Sequence, residues 1–280
     1  MLNCYLTPEN AALPHATTSP LRVCAVSYLN TLPLVWGMLR GPQKGIFDLS
    51  FSVPAECANR LSDGRAQIGI VPCAEIPRLG LDILPGTGIA SDGPVRSILL
   101  ISKVPFSQIR QLAVDSSSRT SVILARIVLS RKYGAEPALT KMPPDLPSML
   151  EAADAALIIG DPALHLDPLS IPFYTLDLGA EWTEMTGLPM VFAVWAGKRA
   201  VLTPDVADAF SASCDFGMDR IDDIARECGP ARGFQEALVR QYLRQNIVFR
   251  LQERHYKGMR LFLEYAGSLS TAETVGNATV

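Results

Sequence analysis

The sequence is poor in the residues that hold metals and build disulfide frameworks. Its 280 residues include three histidines (His15, His165, His255) and six cysteines (Cys4, Cys24, Cys57, Cys73, Cys214, Cys228), none of them at CxxC spacing. No zinc-ligand pattern assembles from these neighbours, and the cysteines read as reduced thiols of a cytoplasmic protein, several of them core residues. An excess of either charge is also missing. The 25 basic and 28 acidic residues leave a formal charge of -3, with no block of Lys or Arg. This gives no phosphate-tracking stripe and no reason to expect a nucleic-acid partner. An anionic ligand must therefore find its positive counterpart locally, in a few Arg side chains or helix N-termini.

Long apolar runs are scarce as well. Residues 23–38 carry no charge, but Ser27, Asn30, Thr31 and Pro33 interrupt them, and the run is shorter than the roughly 20 apolar residues that cross a bilayer. The first twenty residues contain no Lys or Arg, no small-residue cleavage signal follows the run, and Arg22 stands where a lipidated Cys24 would need an apolar neighbour. The run reads as a buried strand entering a helix, and no membrane partner is expected. GxSxG and tandem repeats are absent too, which removes serine-hydrolase and solenoid readings.

What is present suits a sizeable core, since 48% of the residues are hydrophobic. Residues 1–20 read as a flexible tail. Strands are expected at 22–27, 47–53 and 67–71, with helices at 31–39 (Thr31 as cap, Pro33 in the first turn) and 55–62 between them. This β–α–β–α–β order points to a parallel sheet. A further apolar strand at 96–102 precedes a second run: a strand at 111–115, a polar turn, a helix at 120–133 and a strand at 155–160. Asp161-Pro162 then opens another helix by the cap-then-proline rule. A strand at 190–196 leads to helices near 204–228, 233–246 and 251–267. The expected class is α/β and two-lobed. Residues 21–103 plus 190–280 form a discontinuous first lobe with the C-terminal helices, residues 104–189 form the second, and a ligand cleft lies between them. Closure would turn about residues near 102–104 and 189–191.

Several stretches carry a resemblance. Val26-Ser27-Tyr28-Leu29-Asn30-Thr31-Leu32-Pro33-Leu34 is similar to a signature of the chorismate dehydratase family of the futalosine route to menaquinone. In the same order follow Gly93-Pro94-Val95-Arg96-Ser97, the run from Asp115 to Ser121, Ile159-Gly160-Asp161, and Glu181-Trp182 with the run from Thr186 to Trp195. The stretch from Tyr242 to Ile247 also fits. Roughly residues 21–267 are covered. The resemblance implies a periplasmic-binding-protein-like (type II) fold and a cytoplasmic carbon–oxygen lyase. It would convert chorismate, a small dianion, to 3-[(1-carboxyvinyl)oxy]benzoate and water without metal or organic cofactor.

The candidate site residues follow from both sources. Asn30 stands where the first strand ends, the ligand edge of an open α/β sheet. Alone it reads as a turn or cap residue, and the resemblance makes it the first catalytic candidate, with Ser97 second. The turn that joins a strand to the helix at 120–133 reads as an anion site. Ser117, Ser118, Thr120 and Ser121 offer hydroxyls and backbone N–H groups at a helix start, and Arg119 offers a charge. Ordinary capping with Arg119 in solvent reads equally well from the residues alone. Asp161 and Tyr28 complete the substrate-binding set, against competing readings as a cap and as packing. Trp182 and Trp195 belong to the core or hinge. No side chain stands out as general base, so the substrate's own enolpyruvyl carboxylate is the candidate. Rival readings are a non-catalytic solute-binding protein of the same fold and the related 1,4-dihydroxy-6-naphthoate synthase, whose cysteine- and proline-rich motif is not what stands at 27–33. A regulatory effector-binding domain would need a DNA-binding segment that residues 1–20 do not supply.

Overall fold

Two mixed sheets organise the computed structural model, which describes residues 19–115 and 118–276, with side chains to Leu269. The strands are β1 (Leu21–Val26), β2 (Phe47–Ser52), β3 (Ile68–Pro72), β4 (Asp82–Ser91), β5 (Ile98–Ser102), β6 (Gln111–Asp115), β7 (Ala138–Met142), β8 (Ala155–Ile159), β9 (Tyr174–Asp177), β10 (Met190–Gly197) and β11 (Val248–Arg250). The first sheet has the order β11-β4-β10-β3-β1-β2 and the second β7-β6-β8-β5-β9. The interior strands β3, β5 and β8 are buried throughout and apolar except for Ser102, as suits strands covered on both faces. The edge strand β7 is largely exposed.

The parallel expectation holds for β1 with β2 and β3, and for β6 with β7 and β8. Elsewhere it needs correction, because β10 runs antiparallel to β3 and β4, and β5 antiparallel to β8 and β9. Sheet membership also moves the crossing between lobes. β5, which the sequence assigns to the first lobe, is a strand of the second sheet. The chain therefore crosses at residues 92–97, not 102–104, and returns at 187–189, just before β10. Four strands were unforeseen: β4, β7, β9 and β11. The expected helix at 204–228 is two, Pro204–Met218 and Ile221–Cys228, and the one at 233–246 is a short helix Glu236–Gln241 that widens into a π turn, Tyr242–Asn246.

The helix Leu32–Arg40 that follows the Asn30 turn is held against Pro204–Met218 at very close range. A Cβ on Gly217 would lie 2.1 Å from the Pro33 carbonyl oxygen, so only glycine allows this approach. Ser213 Oγ donates to Leu34 O at 3.0 Å and accepts from Met38 N at 3.2 Å. Thr31 stands at the N-cap position, but its hydroxyl makes no capping bond and is buried without a partner. Trp182 and Trp195 are wholly buried, as expected of core residues. Among the described residues no helix is long and apolar enough to cross a membrane, and no group of three His, Cys, Asp or Glu could hold a metal ion.

Candidate functional site

A cavity lies between the two sheets. The ends of β1 and β3 (Val26, Pro72) and Phe192 of β10 wall it on one side. The starts of the helices Thr120–Val128 and Gly160–Leu164 approach from the other. It brings together Tyr28, Asn30, Ser97, Ser118, Arg119, Thr120 and Ser121 from three separate parts of the chain. Ser117, named with them from the sequence, lies outside the described residues.

At one end Asn30, Tyr242 and Ser97 form a buried chain. Asn30 sits on the 3-10 turn Leu29–Thr31 and its Nδ2 donates to Tyr242 Oη at 3.0 Å, while Tyr242 Oη donates to Ser97 Oγ at 2.8 Å. Asn30 Oδ1 is buried and has no hydrogen-bond partner. Burial pushes the Tyr242 phenol well above its ordinary value, so it keeps its proton. In the sequence Tyr242 opens a stretch that fits the family and carries no assigned role. Its only local signal is an aromatic residue with a polar tip in a helix that has to be buried.

At the other end stands the start of the helix Thr120–Val128, which has no side-chain cap. Its first-turn N–H groups and the hydroxyls of Ser118 and Ser121 present partial positive charge to the cavity. Thr120 Oγ1 accepts from Ala74 N at 3.3 Å across the lobes. Arg119 is not in solvent: it is paired with Glu75, which also binds Arg78 through Nε at 2.7 Å. Glu75 thus holds Arg119 beside the helix start. Cys73, next to Thr120, is pushed up to about 12 by burial and stays a neutral thiol.

Asp161 corrects its sequence reading. It neither lines the cavity nor caps its helix, which begins at Gly160 with Ile159 as N-cap. Its Oδ1 accepts from Leu29 N at 2.9 Å and its Oδ2 from Arg232 at 2.6 Å, and Arg232 also donates to Ser27 O at 2.8 Å. Asp161 thus ties the second lobe to the turn that carries Tyr28 and Asn30. Beside it, Gly160 has φ +64, and a Cβ there would lie 2.7 Å from the Tyr28 ring. Gly160→Ala is expected to destabilise the protein by about 2 kcal/mol or more, through the positive φ and the clash. Its denaturant midpoint should fall accordingly; a midpoint equal to that of the parent would show that Tyr28 does not pack there.

Ser97 lies on the crossing segment, one residue before β5, because Arg96 adopts φ 66, the one non-glycine positive φ among the described residues. Asp177 holds this turn. Its carboxylate accepts from Val95 N (2.9 Å) and Arg96 N (2.6 Å), and caps the next helix through Gly179 N and Ala180 N. Burial pushes the Asp177 carboxyl above its ordinary value, while the four N–H donors pull it down. The Arg96 guanidinium in turn donates to the carbonyls of Ala163 and Leu166. A strained residue held from both sides fixes where the Ser97 hydroxyl points. Among the described residues the histidines take no part here: His165 stacks on Phe234 at 4.3 Å and His255 Nδ1 accepts from Gln252 N.

Known proteins share this architecture. The chain superposes on a crystal structure of an Archaeoglobus fulgidus protein with a TM-score of 0.74 at 16% identity, covering 90% of this chain and 98% of that one. For the periplasmic aliphatic sulphonate binding protein of Escherichia coli the TM-score is 0.65 at 12% identity, over 92% of this chain and 89% of the other. These likenesses place the fold among the two-lobed periplasmic-binding-protein-like structures. In sequence, the chain is 28% identical over 239 residues to the chorismate dehydratase of Thermus thermophilus, covering 79% of this chain and 87% of that protein. Residues 21–268 match the menaquinone biosynthesis family, and the chain belongs to that family.

Proposed function

We propose that the protein is a chorismate dehydratase, a cytoplasmic hydro-lyase that forms 3-[(1-carboxyvinyl)oxy]benzoate and water on the way to menaquinone. One observation carries the reading: a single cavity unites Asn30 and Ser97 at one end with the helix start at Ser118–Ser121 and Arg119 at the other. Its ends match a ring that bears a carboxylate at one position and a hydroxyl to be lost elsewhere. The 28% identity to a chorismate dehydratase supports the same assignment.

The chemistry asks little beyond placement. Loss of a ring proton and the neighbouring hydroxyl is redox-neutral and makes the ring aromatic, so positioning and proton movement suffice. The enolpyruvyl carboxylate removes the ring proton as the base. The C–O bond then breaks, the hydroxide leaves beside Asn30 and Ser97, and the new carboxylic acid returns the proton to give water and the free carboxylate. The helix dipole and Arg119 hold a substrate carboxylate meanwhile. An ester or amide of the enolpyruvyl carboxylate is expected to bind without turnover; its normal turnover would move the base to a protein group.

The direct test incubates purified, chelator-treated protein with chorismate and follows the product by chromatography and mass. A product lighter by one water is expected. Tight binding of unchanged chorismate would instead favour a solute-binding protein of the same fold, and no binding would overturn the ligand assignment.

A further inference from the structure

The hydroxyl of Tyr242 is hydrogen-bonded to both Asn30 and Ser97, and its proton count decides what those two side chains offer to the cavity. A tyrosine hydroxyl has a single proton to donate. It goes to Ser97 Oγ at 2.8 Å, so the bond from Asn30 Nδ2 at 3.0 Å is one that Tyr242 accepts. Three groups are then left over: the second N–H of Asn30 Nδ2, the O–H of Ser97 and the Oδ1 of Asn30. Ser97 Oγ accepts from Tyr242 and so keeps its own O–H to donate, and Asn30 Oδ1 is buried without any partner. Both residues line the cavity.

We propose that Tyr242 is a positioning residue that sets this polarity, so that Ser97 donates into the cavity, Asn30 accepts from it, and the pair receives an alcohol. An alcohol meets the Ser97 O–H and the Asn30 Oδ1 together: its oxygen accepts from Ser97 and its proton goes to Asn30. A carboxylate has no proton to give and leaves Asn30 Oδ1 buried and unpaired. The centre therefore selects the hydroxyl end of the substrate and leaves the carboxylate for the helix start. As the C–O bond lengthens, negative charge grows on the oxygen that Ser97 already faces, and no reorientation is needed. Tyr242 is 1% exposed and sits on the π turn Tyr242–Asn246. This inference rests on the dehydratase reading and names how that site recognises its leaving group.

The test uses Tyr242→Phe, which keeps the ring and removes the hydroxyl. With chorismate, kcat is expected to fall about 10- to 100-fold, below the effect of losing a direct donor, while KM stays within about threefold. Because Tyr242 acts through its neighbours, Y242F combined with Ser97→Ala should cost little more than the worse single change. A residue that only fills the core would lower the unfolding midpoint, leave kcat of the folded protein unchanged and combine multiplicatively with S97A. Either of the last two results overturns the proposal. A second variant, Asn30→Asp, keeps Tyr242 and the side-chain shape but offers its hydroxyl an acceptor where Asn30 offered a donor. It should lose a comparable factor in kcat, and full activity would overturn the polarity. Normal turnover by the parent with unchanged Y242F defeats this inference alone, whereas a parent that does not dehydrate chorismate defeats the functional reading and this inference with it.

Discussion

Asn30→Ala is expected to lower kcat for chorismate by about 100- to 1,000-fold with a small change in KM. The size follows from what the amide does in two directions. Its Nδ2 holds the Tyr242 hydroxyl in place, and its unpartnered Oδ1 is a buried acceptor beside the cavity. Alanine removes both, and the tyrosine hydroxyl becomes free to reorient away from Ser97. Substrate affinity should survive, because the charge that binds a carboxylate lies at the other end, where Arg119 and the first turn of the helix Thr120–Val128 stand. Initial rates across a chorismate series separate the two parameters. A raised KM at unchanged kcat would make Asn30 a binding residue and move the reacting centre elsewhere in the cavity.

The residues that were legible in the sequence are those that local physics can mark. Tyr28 and Asn30 lie in a turn after a strand whose last four residues are apolar and buried, and Ser118 to Ser121 lie in a polar turn at a helix start. Both are short, contiguous signals, and the structure sets both against one cavity. What stayed hidden depends on partners far along the chain. Tyr242 meets Asn30 across 212 residues and Ser97 across 145, and Arg119 meets Glu75 across 44. No periodicity records such pairs. Asp161 followed the Asp-Pro rule for a helix start, but the Leu29 N–H and the Arg232 guanidinium compete successfully for its oxygens. Strand β4 was missed because Pro85, Gly86 and Gly88 break its apolar pattern, and its pairing with β10 tolerates them through register shifts. The start of β5 was placed two residues early because nothing local shows that Asp177, about 80 residues on, holds Arg96 in a left-handed turn.

The second large effect concerns lobe closure. Asp161→Ala is expected to lower kcat/KM about 100-fold, chiefly by raising KM. The carboxylate joins the lobes by accepting from Leu29 N and from Arg232, whose other bond ends on Ser27 O, so all three contacts converge on the turn that carries Asn30. Leu29 is 1% exposed, so its N–H would have no water to turn to once the carboxylate is gone. Hydrogen bonds to charged groups contribute about 1.5–3 kcal/mol each. Losing about 3 kcal/mol from the closed state alone corresponds to roughly a 100-fold shift toward open forms. Arg119–Glu75 and Thr120–Ala74, on the far side of the cavity, would still hold the lobes at one point, so the variant should fold and open asymmetrically. Asp161→Asn keeps an acceptor for Leu29 N and loses the charge toward Arg232, which places it between parent and alanine variant. Small-angle scattering gives the independent readout: chorismate should reduce the radius of gyration of the parent, or leave it at its compact value, while the alanine variant remains larger at the same ligand concentration. Equal radii together with a parental KM would mean that closure does not depend on this contact, and that Asp161 serves only to fix the Leu29–Thr31 turn.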